Sequence, residues 1–130
     1  PPHERHLAQT RLASLMVGVL CQSLVPRSIG TGRIAAVEVM LANSAVKNLI
    51  REGKIYQLPN VIRTSREDGM LSLDESLVDL YRREKIDRDT VFDYCNETEE
   101  VERLLGNRGR PSNGRRKSKS PSGTNLSMLF

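Results

Sequence analysis

A chain of 130 residues has room for one domain at most, and 38% hydrophobic residues with three Tyr, two Phe and no Trp make its core modest and aliphatic. No run approaches the ~18 apolar residues of a membrane-crossing helix, and no signal-peptide pattern follows the charged start Pro1-Pro2-His3-Glu4-Arg5-His6. The net charge of +4 divides unevenly: residues 1–105 hold 14 Lys and Arg against all 16 acids, whereas Arg108, Arg110, Arg115, Arg116, Lys117 and Lys119 stand in an acid-free tail, so the basicity is not a property of the body.

In chain order, Leu7, Leu12, Leu15, Met16, Val19 and Leu20 recur at spacings of three to five, which predicts an amphipathic helix over 4–20 with a largely buried far end. From Cys21 to Val25 the apolar residues alternate, and Pro26 ends any helix. Arg27-Ser28-Ile29-Gly30-Thr31-Gly32 reads as a turn, and Arg33–Leu41, rich in small and β-branched residues, as a strand pairing back on 21–26. Glu38 within it is expected to face solvent or a partner.

Helical signals follow. Asn43 or Ser44 caps a short helix that Gly53 ends, with Val46, Leu49 and Ile50 inward and Lys47, Asn48 and Arg51 outward. Pro59 opens another helix, which Asp68-Gly69 breaks. Ser72 with Glu75 forms a capping box ahead of Leu73, Leu77, Leu80 and Tyr81. Asp87 caps a helix through Cys95, with Val91 and Phe92 inward, and Val101, Leu104 and Leu105 mark a last one ending at Gly106. Beyond it, Gly, Pro, Ser, Asn, Arg and Lys dominate up to Leu126-Ser127-Met128-Leu129-Phe130, a composition that predicts disorder.

The sequence alone shows no catalytic centre and no metal site. Gly109 and Gly114 are followed by Arg115 and Arg116 where a phosphate-binding loop needs Lys and Ser or Thr, and Gly30-Thr31-Gly32 precedes a strand where a nucleotide fingerprint needs a helix. His3 and His6 lack both HExxH spacing and a third ligand. Cys21 and Cys95, without CxxC spacing, read as reduced buried thiols. The acidic pairs Asp74-Glu75 and Glu99-Glu100 fit capping and solvated faces. The basic tail suits anionic partners, but it lacks aromatic residues interleaved for stacking on bases, so nucleic acid is not favoured.

Six segments resemble the pilus-retraction (twitching-motility) branch of the type II/type IV secretion ATPase superfamily. Ala45-Val46-Lys47-Asn48-Leu49-Ile50-Arg51-Glu52 resembles that family's carboxy-terminal AIRNLIRE element, with Val for Ile and Lys for Arg. Residues 17–26 resemble its V-I-S-Q-R-L-L-P, although Ser23 stands where a basic residue is usual, and Gly32–Met40 resembles G-R-V-A-A-F-E-V-M. Gln57-Leu58-Pro59, Asp68-Gly69-Met70 and Leu73–Leu77 follow in the family's order. The similarity covers residues 1–95, and the tail has no counterpart. The short turn between Pro26 and Arg33, and the lack of paired CxxC motifs, favour the retraction branch over pilus-extension relatives.

The resemblance implies an α+β fold: the carboxy-terminal part of a RecA-like α/β ATPase domain, with one long helix, a β-hairpin and a cluster of short helices. That subdomain is expected at 1–105, and composition sets a basic disordered tail at 106–130. It further implies a piece of a hexameric motor that uses ATP and Mg, cytoplasmic at the inner face of the membrane, with an inner-membrane pilus or secretion platform as partner. The family's Walker A, acidic, Walker B and His boxes are not in the sequence, so no nucleotide is expected to bind this piece alone. Ala45–Glu52 becomes the candidate motor and subunit-contact element, and Gln22 and Arg33 become candidates for subunit or nucleotide-side contacts. The rivals are a small non-catalytic protein using its basic tail on nucleic acid or membrane, and a piece of a related type II secretion ATPase.

Overall fold

In the computed structural model, residues 1–106 are described. Their order is α1 (Pro2–Leu15), β1 (Gly18–Pro26), β2 (Arg33–Leu41), α2 (Ser44–Arg51), α3 (Leu58–Thr64), α4 (Leu73–Arg82), α5 (Arg88–Tyr94) and α6 (Thr98–Leu105), with 3-10 turns at Ile55–Gln57 and Arg66–Asp68. This is the expected mixture of a helix, a hairpin and short helices. The expected disordered tail lies outside the described residues.

Two antiparallel strands form the sheet. Arg27 N–H donates to Gly32 O at one end (3.3 Å) and Ala42 N–H to Val17 O at the other (2.9 Å), so one register holds throughout. It sets Leu20 opposite Val39, Cys21 opposite Glu38 and Leu24 opposite Ala35. Val19, Cys21, Ser23 and Val25 share the packed side of β1, and Ile34, Ala36, Glu38 and Met40 that of β2. Of the two placements expected for Glu38, solvent is set aside: strand parity turns it toward the packed side, half-buried beside Cys21. Gly18 is required by close approach, since a Cβ there would stand 3.0 Å from Met40 O.

The described residues sort into two compact units. The first comprises residues 1–21 and 37–72, with a core of Ala13, Met40, Val46, Ile50, Leu58, Ile62 and Met70. Val39 and Leu71 exchange backbone hydrogen bonds of 2.8 and 3.0 Å, tying residue 71 to β2. The predicted helix over 4–20 is corrected here. Helix α1 stops at Leu15, and Val19 and Leu20 already belong to β1. Its packed residue is Ala13, with Gln9, Thr10 and Met16 half-buried, while Leu7, Leu12 and Leu15 are exposed. A small residue lets α1 approach α2 closely, so the leucine stripe faces outward.

The second unit comprises residues 22–36 and 73–106 of the described chain. Leu77, Val78, Leu80, Ile86, Val91 and Val101 close its core with Val25 and Ala36. Each side chain of this kind contributes about 1.5–3 kcal/mol on full burial. Helix α4 packs on both α5 and α6. Ser28 fastens the hairpin turn to the end of α4, its N–H on Lys85 O (3.0 Å) and its hydroxyl on Glu84 O (2.9 Å).

Candidate functional site

Helix α2 is built as its sequence predicts. Asn43 lies just outside it with extended backbone, and its side-chain oxygen accepts from Val46 N–H at 3.0 Å. Gly53 adopts φ +69° just beyond the helix, a left-handed stop that side chains with a Cβ resist. Val46 and Ile50 are buried and Leu49 is half-buried against the core. Ala45, Asn48, Arg51 and Glu52 are exposed, and Lys47 is half-buried.

The outward residues restrain one another. Arg51 Nη1 donates to Asn48 Oδ1 at 2.9 Å, and Lys54 Nζ lies 2.8 Å from Glu52 Oε2. That hydrogen bond with Glu52 raises the Lys54 pKa above its ordinary value. The ridge is therefore a short polar strip, carried on a helix whose opposite side is packed into a core. Such a strip can offer hydrogen-bond donors and acceptors to a carboxylate or amide on a neighbour.

Gln22 and Arg33 both occupy the outward side of the hairpin. They do not converge. Arg33 pairs with Pro26 in the strand register, four residues and ~13 Å along the strand from Gln22. Arg33 is also occupied by its own hairpin: Nη1 donates to Leu24 O at 3.1 Å, and its carbonyl accepts from Arg27 Nε at 3.4 Å. Gln22 is exposed. Among the described residues no group of three His, Cys, Asp or Glu is placed to hold a metal, and no helix is long and apolar enough to cross a membrane.

Two polar arrangements in the second unit escape sequence reading. Asp74, at the start of α4, accepts from Asn96 N–H (2.7 Å) and Glu97 N–H (3.0 Å), the backbone that leads into α6. Burial raises its pKa, opposed by those two hydrogen bonds and assisted by Glu97 and Glu100. Glu100 is buried and holds Arg103 through contacts of 2.6 and 2.9 Å, while Glu75 is also buried. Of the capping and solvated faces expected for these acids, the solvated part is corrected at Asp74, Glu75 and Glu100, and it holds at Glu99. The signal was nonlocal, because Asp74 and its donors are over twenty residues apart. Both cysteines are free and half-buried, and desolvation raises both thiol pKa values.

No family model matches the chain. It is 39% identical over 83 residues to the twitching motility protein of Neisseria gonorrhoeae, covering 64% of this chain and 22% of that protein. It is 36% identical over 91 residues to the type IV pilus retraction ATPase PilT of Pseudomonas aeruginosa, covering 70% and 26%. With the type IV pilus ATPase PilU of the same organism it shares 29% over 105 residues, 80% of this chain and 28% of that one. Among solved structures, the crystal structure of the pilus retraction motor PilT with bound ADP superposes with a TM-score of 0.67 at 27% identity, over 79% of this chain and 28% of that chain. The chain thus spans about a quarter of the length of the relatives it matches.

Proposed function

We propose, on the premise that this chain carries a segment of the pilus-retraction ATPase family, that it serves a hexameric, ATP-driven motor by contact and force transmission. Its own residues supply a rigid element to grip a neighbouring subunit. ATP and Mg are handled elsewhere in the assembly, at the cytoplasmic face of an inner-membrane platform. The observation that carries this reading is α2: an Asn43-capped helix with its apolar side in the core and Ala45, Asn48 and Arg51 outward. Its polar ridge adds little to the stability of its own unit, because exposed polar pairs contribute only ~0–1 kcal/mol.

A graft tests the reading. Residues 44–52 replace the matching helix of the Pseudomonas aeruginosa PilT, and twitching is scored on agar. The graft is expected to support twitching, and the same graft with Asn48→Ala and Arg51→Ala to lose it while the motor still accumulates. Full twitching by the double variant would remove the ridge from the mechanism.

A further inference from the structure

Helix α6 does not cap itself. Glu97, the residue just before it, makes no capping hydrogen bond with its side chain. The cap comes from α4 instead: the Asp74 carboxylate accepts from Asn96 N–H (2.7 Å) and Glu97 N–H (3.0 Å). At the far end Arg82, also on α4, donates from Nη2 to Leu104 O at 2.6 Å, one of the last carbonyls of α6. The two clamps match in spacing. Asp74 to Arg82 and Asn96 to Leu104 are both steps of eight residues, and eight residues of helix span ~12 Å. Helix α4 thus runs parallel to α6 and sets a carboxylate at the positive end of its dipole and a guanidinium at the negative end.

Between the clamps the apolar hold is narrow. Val101 is fully buried, and Leu104 and Leu105 are half-buried against the same core. Glu100 is buried too, paired with Arg103 of its own helix. Helix α4, by contrast, buries Leu77, Val78 and Leu80. A helix as short as α6 does not persist in water by itself, where even ~12–15 residues are marginal. We infer that α6 is a conditional strap, helical only while α4 holds both of its ends, which releases as a unit while α4, α5 and their core stay folded. Order and disorder of α6 then form a two-state element, and a group that competes for Asp74 or Arg82 biases it. Release bares the side of α4 that carries Asp74.

Native-state hydrogen exchange of the full 130-residue chain, at fixed pH in sub-denaturing urea, tests this. The amides of residues 101–105 are expected to exchange together, roughly tenfold or more faster than those of residues 77–82 and with a smaller urea dependence. Asp74→Ala is expected to speed exchange at residues 101–105 by about 5–30-fold, the population change that one lost clamp brings. In the double variant, Asp74→Ala with Arg82→Ala, the Cα shifts of residues 98–105 are expected to collapse toward coil values while those of residues 75–81 and 45–51 stay helical. Shared rates and urea slopes for α4 and α6 in the unsubstituted chain would overturn the inference. So would helical α6 shifts that survive the double substitution, or α4 and α6 losing theirs together. Loss of twitching in the graft bears on α2 and leaves this test unaffected.

Discussion

Helix α1 turns its leucines outward, and helix α4 keeps its own in. Leu7 is 50% exposed, Leu15 80% and Leu20 66%, and the helix that carries two of them buries an alanine. In the second unit Leu77 and Leu80 are buried and the outer surface of α5 and α6 is acidic. The difference teaches that burial within this chain is set by partner geometry as much as by hydropathy.

Core truncation breaks the comparison hardest. Leu77→Ala is expected to destabilise by about 2–5 kcal/mol, while Leu15→Ala changes stability by less than about 0.5 kcal/mol, both read from urea unfolding by circular dichroism. Equal losses would show that α1 packs through its leucines after all. Next comes Asp74→Ala, expected to cost about 1–2 kcal/mol by leaving Asn96 and Glu97 N–H unpaired, with faster hydrogen exchange at those amides.

The charge on Asp74 sharpens the point. Its folded-state pKa lies above the unfolded value, so the stability linked to this carboxyl is fully present at pH below the ordinary carboxylate value. It is lost as pH rises through the raised value. Asp74→Asn is therefore expected to lose this part of the pH slope above the ordinary carboxylate value, measured as urea midpoints. An identical slope in both proteins would assign the titration to other groups.

Smaller effects follow. Asn43→Ala removes the α2 cap and is expected to cost about 1 kcal/mol. Asn48→Ala with Arg51→Ala changes urea stability by no more than about 0.5 kcal/mol, since among the described residues the two side chains bond each other at the surface. A larger loss would make the ridge a structural feature of its own unit.

Local features were legible in the sequence because their physics is local. Asn43 as a cap, Gly53 and Gly106 as stops, Pro59 near a helix start and the strand Arg33–Leu41 all stand where backbone chemistry puts them. The inward set of α2 followed from its spacing. At Asp87 the position was right and the bond was not, because its side chain makes no capping hydrogen bond. What failed was nonlocal. Leu7, Leu12 and Leu15 have helical spacing, but only the approach of α2 decides that Ala13 faces in. Periodicity left Glu38 facing either solvent or a partner until strand parity placed it, and the burial of Asp74 and Glu100 depends on how α4 meets α6. Of the candidate site, Asn48 and Arg51 were readable from periodicity as outward residues of α2, whereas the partial burial of Lys47 and the hydrogen bonds that occupy Arg33 were not.

Steady-state ATP turnover by purified residues 1–130 tests most directly whether the chain acts by contact alone. With Mg present, the rate is expected to equal that of buffer across a range of protein concentrations. Robust Mg-dependent hydrolysis, scaling with protein and surviving further purification, would contradict a motor segment that leaves catalysis to the rest of its assembly.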